Sequence, residues 1–186
     1  MSEISSPSQP SAADAPGAAC SPIAAADIDV SCRLPIVVLF LSAAMWLVIG
    51  SAFALVASIK FHAPGFLADS AWLTYGRVRP VGFNCMLYGF CIPAGLGVAL
   101  WLLARLGRTR LALPGLVTAG AVCWNLGITV GVGGILAGGS TGFENLEMPS
   151  YAARLVFLAY LMIAVWGALT FHQRRERQLY VSQWFL

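Results

Sequence analysis

Two arginines, a proline and a glycine, Arg77, Arg79, Pro80 and Gly82, stand at the lip of a long apolar segment in the stretch GRVRPVGFNCMLYGF. Cations at the lip of a membrane helix, followed by a position without a side chain, single this stretch out. On the same side of the expected topology lies the loop GGSTGFENLEMP, Gly138–Pro149, with two carboxylates, Glu144 and Glu147, and no basic residue. Opposite charges gathered at one membrane surface form either an interfacial ion pair or a place that organises an anionic ligand or a hard cation such as calcium. The spacing alone favours the ion pair.

Other reactive chemistry is sparse. The two histidines, His62 and His172, fall at opposite ends of the expected spans. Roughly 30 Å of bilayer separates such ends, so within one chain they cannot share a metal, and each reads as an interfacial residue. Five cysteines, Cys20, Cys32, Cys85, Cys91 and Cys123, form no CxxC pair and no metal spacing with histidine. No serine, cysteine or carboxylate sits with a histidine at nucleophile and base spacing. The apolar segments carry almost no ionisable side chains, the usual markers of proton and ion pathways, and show no inverted repeat. A self-sufficient pump, channel or transporter is therefore disfavoured.

The elements that must position these residues follow from composition. Of 186 residues, 59% are hydrophobic and 10% charged, where a soluble domain carries about a quarter charged. Four apolar stretches, Leu34–Ile59, Val81–Leu106, Leu111–Ala137 and Tyr151–Phe171, are long enough to cross a bilayer as helices. The fold expected is an all-α integral membrane protein of four antiparallel transmembrane helices, with Pro93 bending the second. Residues 1–33, rich in Ser, Ala and Pro, read as a disordered tail, 34–171 as the membrane domain and 172–186 as a basic tail. Residues 1–33 lack the basic start and early apolar run of a cleaved leader, so the first helix is expected to be retained.

Arg33, Arg105, Arg108, Arg110, Arg174, Arg175 and Arg177 fall on one side of the membrane, and Lys60, Arg77, Arg79 and Arg154 on the other. The positive-inside rule then places both termini in the cytoplasm. That bias accounts for the net charge of +3, leaving the bilayer as partner and no nucleic-acid signal. Arg77 and Arg79 lie on the side that the rule leaves poor in cations.

Along the third stretch and at the residue just after it, Gly120, Gly127, Gly131, Gly134 and Gly138 share one face. Small residues let membrane helices approach closely, so the stripe predicts a tight contact with another helix or a flat cofactor. They make no GxGxxG loop, because position 136 is Leu. An isolated bundle is expected to leave this stripe facing lipid, which predicts a larger assembly.

The segments LTYGRVRPVGFN, WNLGITVGVGGILAGGSTGFENLEMPSYAA and LTFHQRRERQLYVSQWFL resemble consecutive pieces of the N-terminal third of subunit I of C-family, cbb-type, haem-copper cytochrome c oxidases. The resemblance covers nearly everything after Leu34 and implies helices equivalent to the family's first four, in a bacterial inner membrane. In that family the second helix opens with an arginine, a proline, a small residue and then a histidine that ligates the low-spin haem. Here that position is Gly82, which offers no axial nitrogen. The remaining haem and copper ligands belong to later helices of the family, and residues 182–186 correspond to the start of its fifth helix.

The resemblance implies that Arg79, with Arg77, occupies a haem-propionate position and that Glu144 matches a carboxylate associated with calcium. No redox centre is completed by these residues, so haem and calcium are expected only within a larger complex. The implied function is a non-catalytic, accessory membrane component of a respiratory oxidase, partnered by its other membrane subunits. Two alternatives stand beside it. One is part of a split catalytic subunit that binds haem with ligands from another chain. The other is a haem-free assembly or sensing protein, or a decayed fragment.

Overall fold

The computed structural model describes residues 25–111 and 113–174, and its regular elements are all helical. Helix α1 spans Ala25–His62, α2 Tyr75–Leu106, α3 Pro114–Leu136 and α4 Ser150–His172. All four are long and apolar enough to cross a membrane. Even the 23-residue helices reach about 35 Å at 1.5 Å per residue, enough for the hydrocarbon core. Large apolar side chains such as Leu41, Val48, Leu55, Leu126, Phe157 and Val165 point outward, as lipid-facing residues do. The chain is a multi-pass membrane protein.

The expected disordered tail needs correction where it can be seen. Residues 1–24 lie outside the described residues, but 25–33 are the first turns of α1. Ile28 and Cys32, four apart on one face, are buried against the far end of α2 and the start of α3. Asp29 pairs with Arg105 at 3.0 Å and Asp27 with Arg110 at 2.8 Å. The Leu111 N–H donates to Ser31 Oγ at 3.1 Å. Exposed ion pairs contribute about 0–1 kcal/mol each, so burial of Ile28 and Cys32 does most of the ordering. None of this is local, which is why Ser- and Ala-rich composition suggested a tail. Residues 175–186, expected as basic tail and next-helix start, lie outside the described residues.

Pro93 does act on α2, through a π-helical segment, Cys85–Cys91. The Ile92 N–H reaches back five residues to Leu87 O. That leaves Tyr88 O with neither its α partner nor a π partner, because Pro93 has no N–H. Trp124 of α3 supplies the donor, Nε1 to Tyr88 O at 2.8 Å. Replacing Trp124 with Phe keeps the ring and removes this bond. A loss of about 1 kcal/mol is expected, read from unfolding in mixed micelles, because a buried carbonyl is left without a partner.

The glycine stripe is filled within the chain, which corrects the expectation that it faces lipid. α3 packs along α4 from Gly120 to Gly134. A Cβ at Gly120 would sit 2.9 Å from Ile163, one at Gly127 2.7 Å from Val156, and one at Gly134 2.5 Å from Pro149. Gly131 faces Met148 and Ala152. Gly138 stands outside this seam and closes α3 instead. It adopts φ +94°, its N–H donates to Ile135 O, and the Gly139 N–H donates to Gly134 O. That is the Schellman arrangement, whose left-handed position favours glycine.

A second close seam joins α1 to α2. Gly50, Ala54 and Ser58 recur every four residues on α1. They bring its backbone against Gly82 and the Cys85–Met86 turn. Gly89 lies under Trp46, with a would-be Cβ 2.6 Å from that residue's Cβ and Cγ. Trp46 is held from the other side, its Nε1 donating to Asn125 Oδ1 at 2.8 Å.

Candidate functional site

The residues singled out by charge gather at one end of the bundle, where α1 ends, α2 begins and the 138–149 loop joins α3 to α4. Arg77 Nη1 donates to Leu136 O at the end of α3 and to Ala71 O, each at 2.8 Å. A cation suits a helix C-terminus, where carbonyls lack partners. Gly138 leaves room for it, since a Cβ there would stand 2.9 Å from Arg77 Nη2. Arg77 thereby ties the start of α2 to the end of α3.

The acidic loop is held by neutral donors. Asn84 Nδ2 donates to Glu147 Oε2 at 2.6 Å and to Pro80 O at 2.8 Å. Tyr88, one turn further along α2, donates its hydroxyl to Asn145 O at 2.8 Å. Within the loop, Thr141 donates its N–H to Glu147 O and its hydroxyl to Leu146 O. The expected ion pair is overturned, because no salt bridge links Arg77 or Arg79 with Glu144 or Glu147 among the described residues. Arg77 is taken up by carbonyls and Glu147 by an amide. Glu144 is exposed in the loop, and the described residues bring no cluster of three His, Cys, Asp or Glu together.

Arg79 is different. It is exposed and, among the described residues, has no hydrogen bond or ion pair. It stands at a cleft of about 510 Å³ between α1 and α2, lined by Ala54, Ser58, Phe61, Gly82, Phe83 and Met86 among others. Gly82 is buried, and a Cβ there would meet Ala54 N at 3.1 Å and Gly50 O at 3.4 Å. The bare position is thus closed by the α1 backbone. Haem fits this lining poorly. It provides a cation for propionates but no imidazole, and only the Met86 thioether and the Tyr75 phenol carry atoms of ligating type.

His62 ends α1, its ring Nδ1 3.0 Å from Ser58 O, and His172 ends α4. Cys32, Cys85, Cys91 and Cys123 are free thiols. The bonds missed from sequence are those of Asn84, Tyr88, Trp46 and Trp124, each reaching an element distant along the chain. The one available signal was a polar or indole donor within an apolar stretch, where it must find an acceptor.

A family model described as Cytochrome C and Quinol oxidase polypeptide I matches residues 35–186. The chain is 26% identical over 157 residues to the Cytochrome c oxidase subunit 1 homolog of Azorhizobium caulinodans, covering 81% of this chain and 27% of that relative. It is 27% identical over 146 residues to Cytochrome c oxidase subunit 1 of Rhodobacter capsulatus, covering 75% of this chain and 27% of that one. The Cbb3-type cytochrome c oxidase subunit CcoN1 of Stutzerimonas stutzeri is 23% identical over 141 residues, covering 76% and 30%. The chain spans about a quarter of the length of the first two relatives.

Proposed function

Because the chain belongs to the Cytochrome C and Quinol oxidase polypeptide I family and corresponds to the N-terminal part of its cbb-type subunit I, we propose that it is a non-catalytic membrane component of a respiratory haem-copper oxidase. One observation carries this reading. Gly82, where the resemblance places an axial histidine, is occupied by close packing of α1 rather than by room for a ligand. The chain then contributes a helical scaffold without an axial ligand at Gly82. Haem propionates and calcium would meet it only through Arg79, with Arg77 behind it, and Glu144. The location that follows is the bacterial inner membrane with both termini cytoplasmic, as the arginine bias at the Arg105 end supports.

The test is affinity purification of the tagged chain from its native membranes in mild detergent, with every co-purifying chain identified. Recovery in fixed ratio with haem-carrying oxidase subunits is the expected result. Recovery alone, or with chaperones and proteases only, overturns the reading.

A further inference from the structure

The cleft beside Arg79 has the character of a site for a lipid. Its walls are the small and apolar residues Ala54, Ala57, Phe61, Phe83 and Met86, and its polar members are the Ser58 and Tyr75 hydroxyls and the Arg79 guanidinium. Arg79 and Tyr75 lie in the first turns of α2, and Ser58 and Phe61 in the last turns of α1, so the polar members gather where both spans reach the membrane surface. The apolar wall runs inward from there through Gly82, Phe83 and Met86.

Charge singles out Arg79. The other cations of this end are bonded to carbonyls: Lys60 to Phe66 O, Arg77 to Leu136 O and Arg154 to Ser150 O. Arg79 alone of these has no hydrogen bond or ion pair among the described residues, and no acidic residue lines the cleft. A guanidinium presents paired N–H donors to two oxygens of a phosphate. An acyl chain beneath that phosphate would cover the apolar wall and would need no ligand from Gly82.

We propose that this cleft binds one anionic phospholipid, its headgroup phosphate on Arg79 and an acyl chain between α1 and α2. The lipid needs no oxidase partner to bind, and it holds Arg79 wherever a partner's haem propionate does not. A single cation near the headgroups favours an anionic lipid by about fivefold.

The experiment uses the full chain in nanodiscs of equal phosphatidylglycerol and phosphatidylcholine, released into mild detergent and weighed by native mass spectrometry. The wild type is expected to retain one phospholipid, with phosphatidylglycerol favoured about fivefold. Arg79→Gln is expected to bring that ratio close to one. Ala54→Phe, at an exposed position in the cleft wall, fills the apolar part and is expected to abolish retention of both lipids. Circular dichroism checks that each variant keeps its helix content. Unchanged phosphatidylglycerol preference in Arg79→Gln overturns the proposal, and so does a haem recovered on the wild type in place of lipid and lost in that variant.

Discussion

Gly89→Leu is expected to destabilise the bundle by about 3 kcal/mol, at the upper end of overpacking costs. The added Cβ alone would lie 2.6 Å from Cβ and Cγ of Trp46, atoms at the root of that side chain rather than its flexible tip. Trp46 cannot swing aside cheaply, because its indole is bonded to Asn125 of α3. Gly89 also lies in the π segment, whose irregular backbone already leans on Trp124. The matched control is Gly133→Leu in α3, where an added Cβ meets nothing within 4 Å. Unfolding in mixed micelles, followed by circular dichroism, should separate the two variants widely. Equal midpoints would show that the α1–α2 approach is looser than these distances imply.

Gly82→His is expected to leave the chain without haem and to weaken it by about 1–3 kcal/mol. Restoring an imidazole at the family position looks like a repair, but the geometry opposes it. The first carbon of the new side chain would press on Ala54 N at 3.1 Å and Gly50 O at 3.4 Å, both backbone atoms of α1. α1 would have to retreat by a few tenths of an ångström along a seam already tight at Gly50, where an added Cβ would meet Cys85 at 3.0 Å and Met86 at 3.1 Å. The readout is the optical spectrum of the variant purified from cells supplied with haem, beside its unfolding midpoint. A six-coordinate low-spin spectrum with undiminished stability would remove the observation on which the non-catalytic reading rests.

The two glycine groups show how unevenly packing could be read beforehand. The run in α3 was visible because its members share one face at regular spacing, and four of them do form a close seam. Its partner was not visible. Nothing in the stripe says whether lipid, cofactor or α4 covers it, since Ile163, Val156 and Pro149 become neighbours only through the turn at Gly138–Pro149. Gly82 raised the opposite problem. Its importance was legible as an absence beside Arg79 and Pro80, whereas its packing role depends on Ala54, which precedes it across a whole loop. The charged end divided in the same way. Opposite charges in facing loops suggested pairing, yet Arg77 found helix-end carbonyls and Glu147 found Asn84, partners that formal charge does not advertise.

The sequence by itself determined the membrane class, the four spans to within a few residues over most of their ends, and the family, because hydropathy and ordered motifs are properties of contiguous segments. Tertiary structure alone decided that residues 25–33 are helical, that Trp124 answers the carbonyl Pro93 leaves bare, that α1 closes over Gly82, and that Arg79 has no partner among the described residues while Arg77 is bound. The physical reason is common to all four. Burial is long-range, and so is the completion of a polar group's bonds in a medium without water. Each is settled by which distant helix arrives opposite.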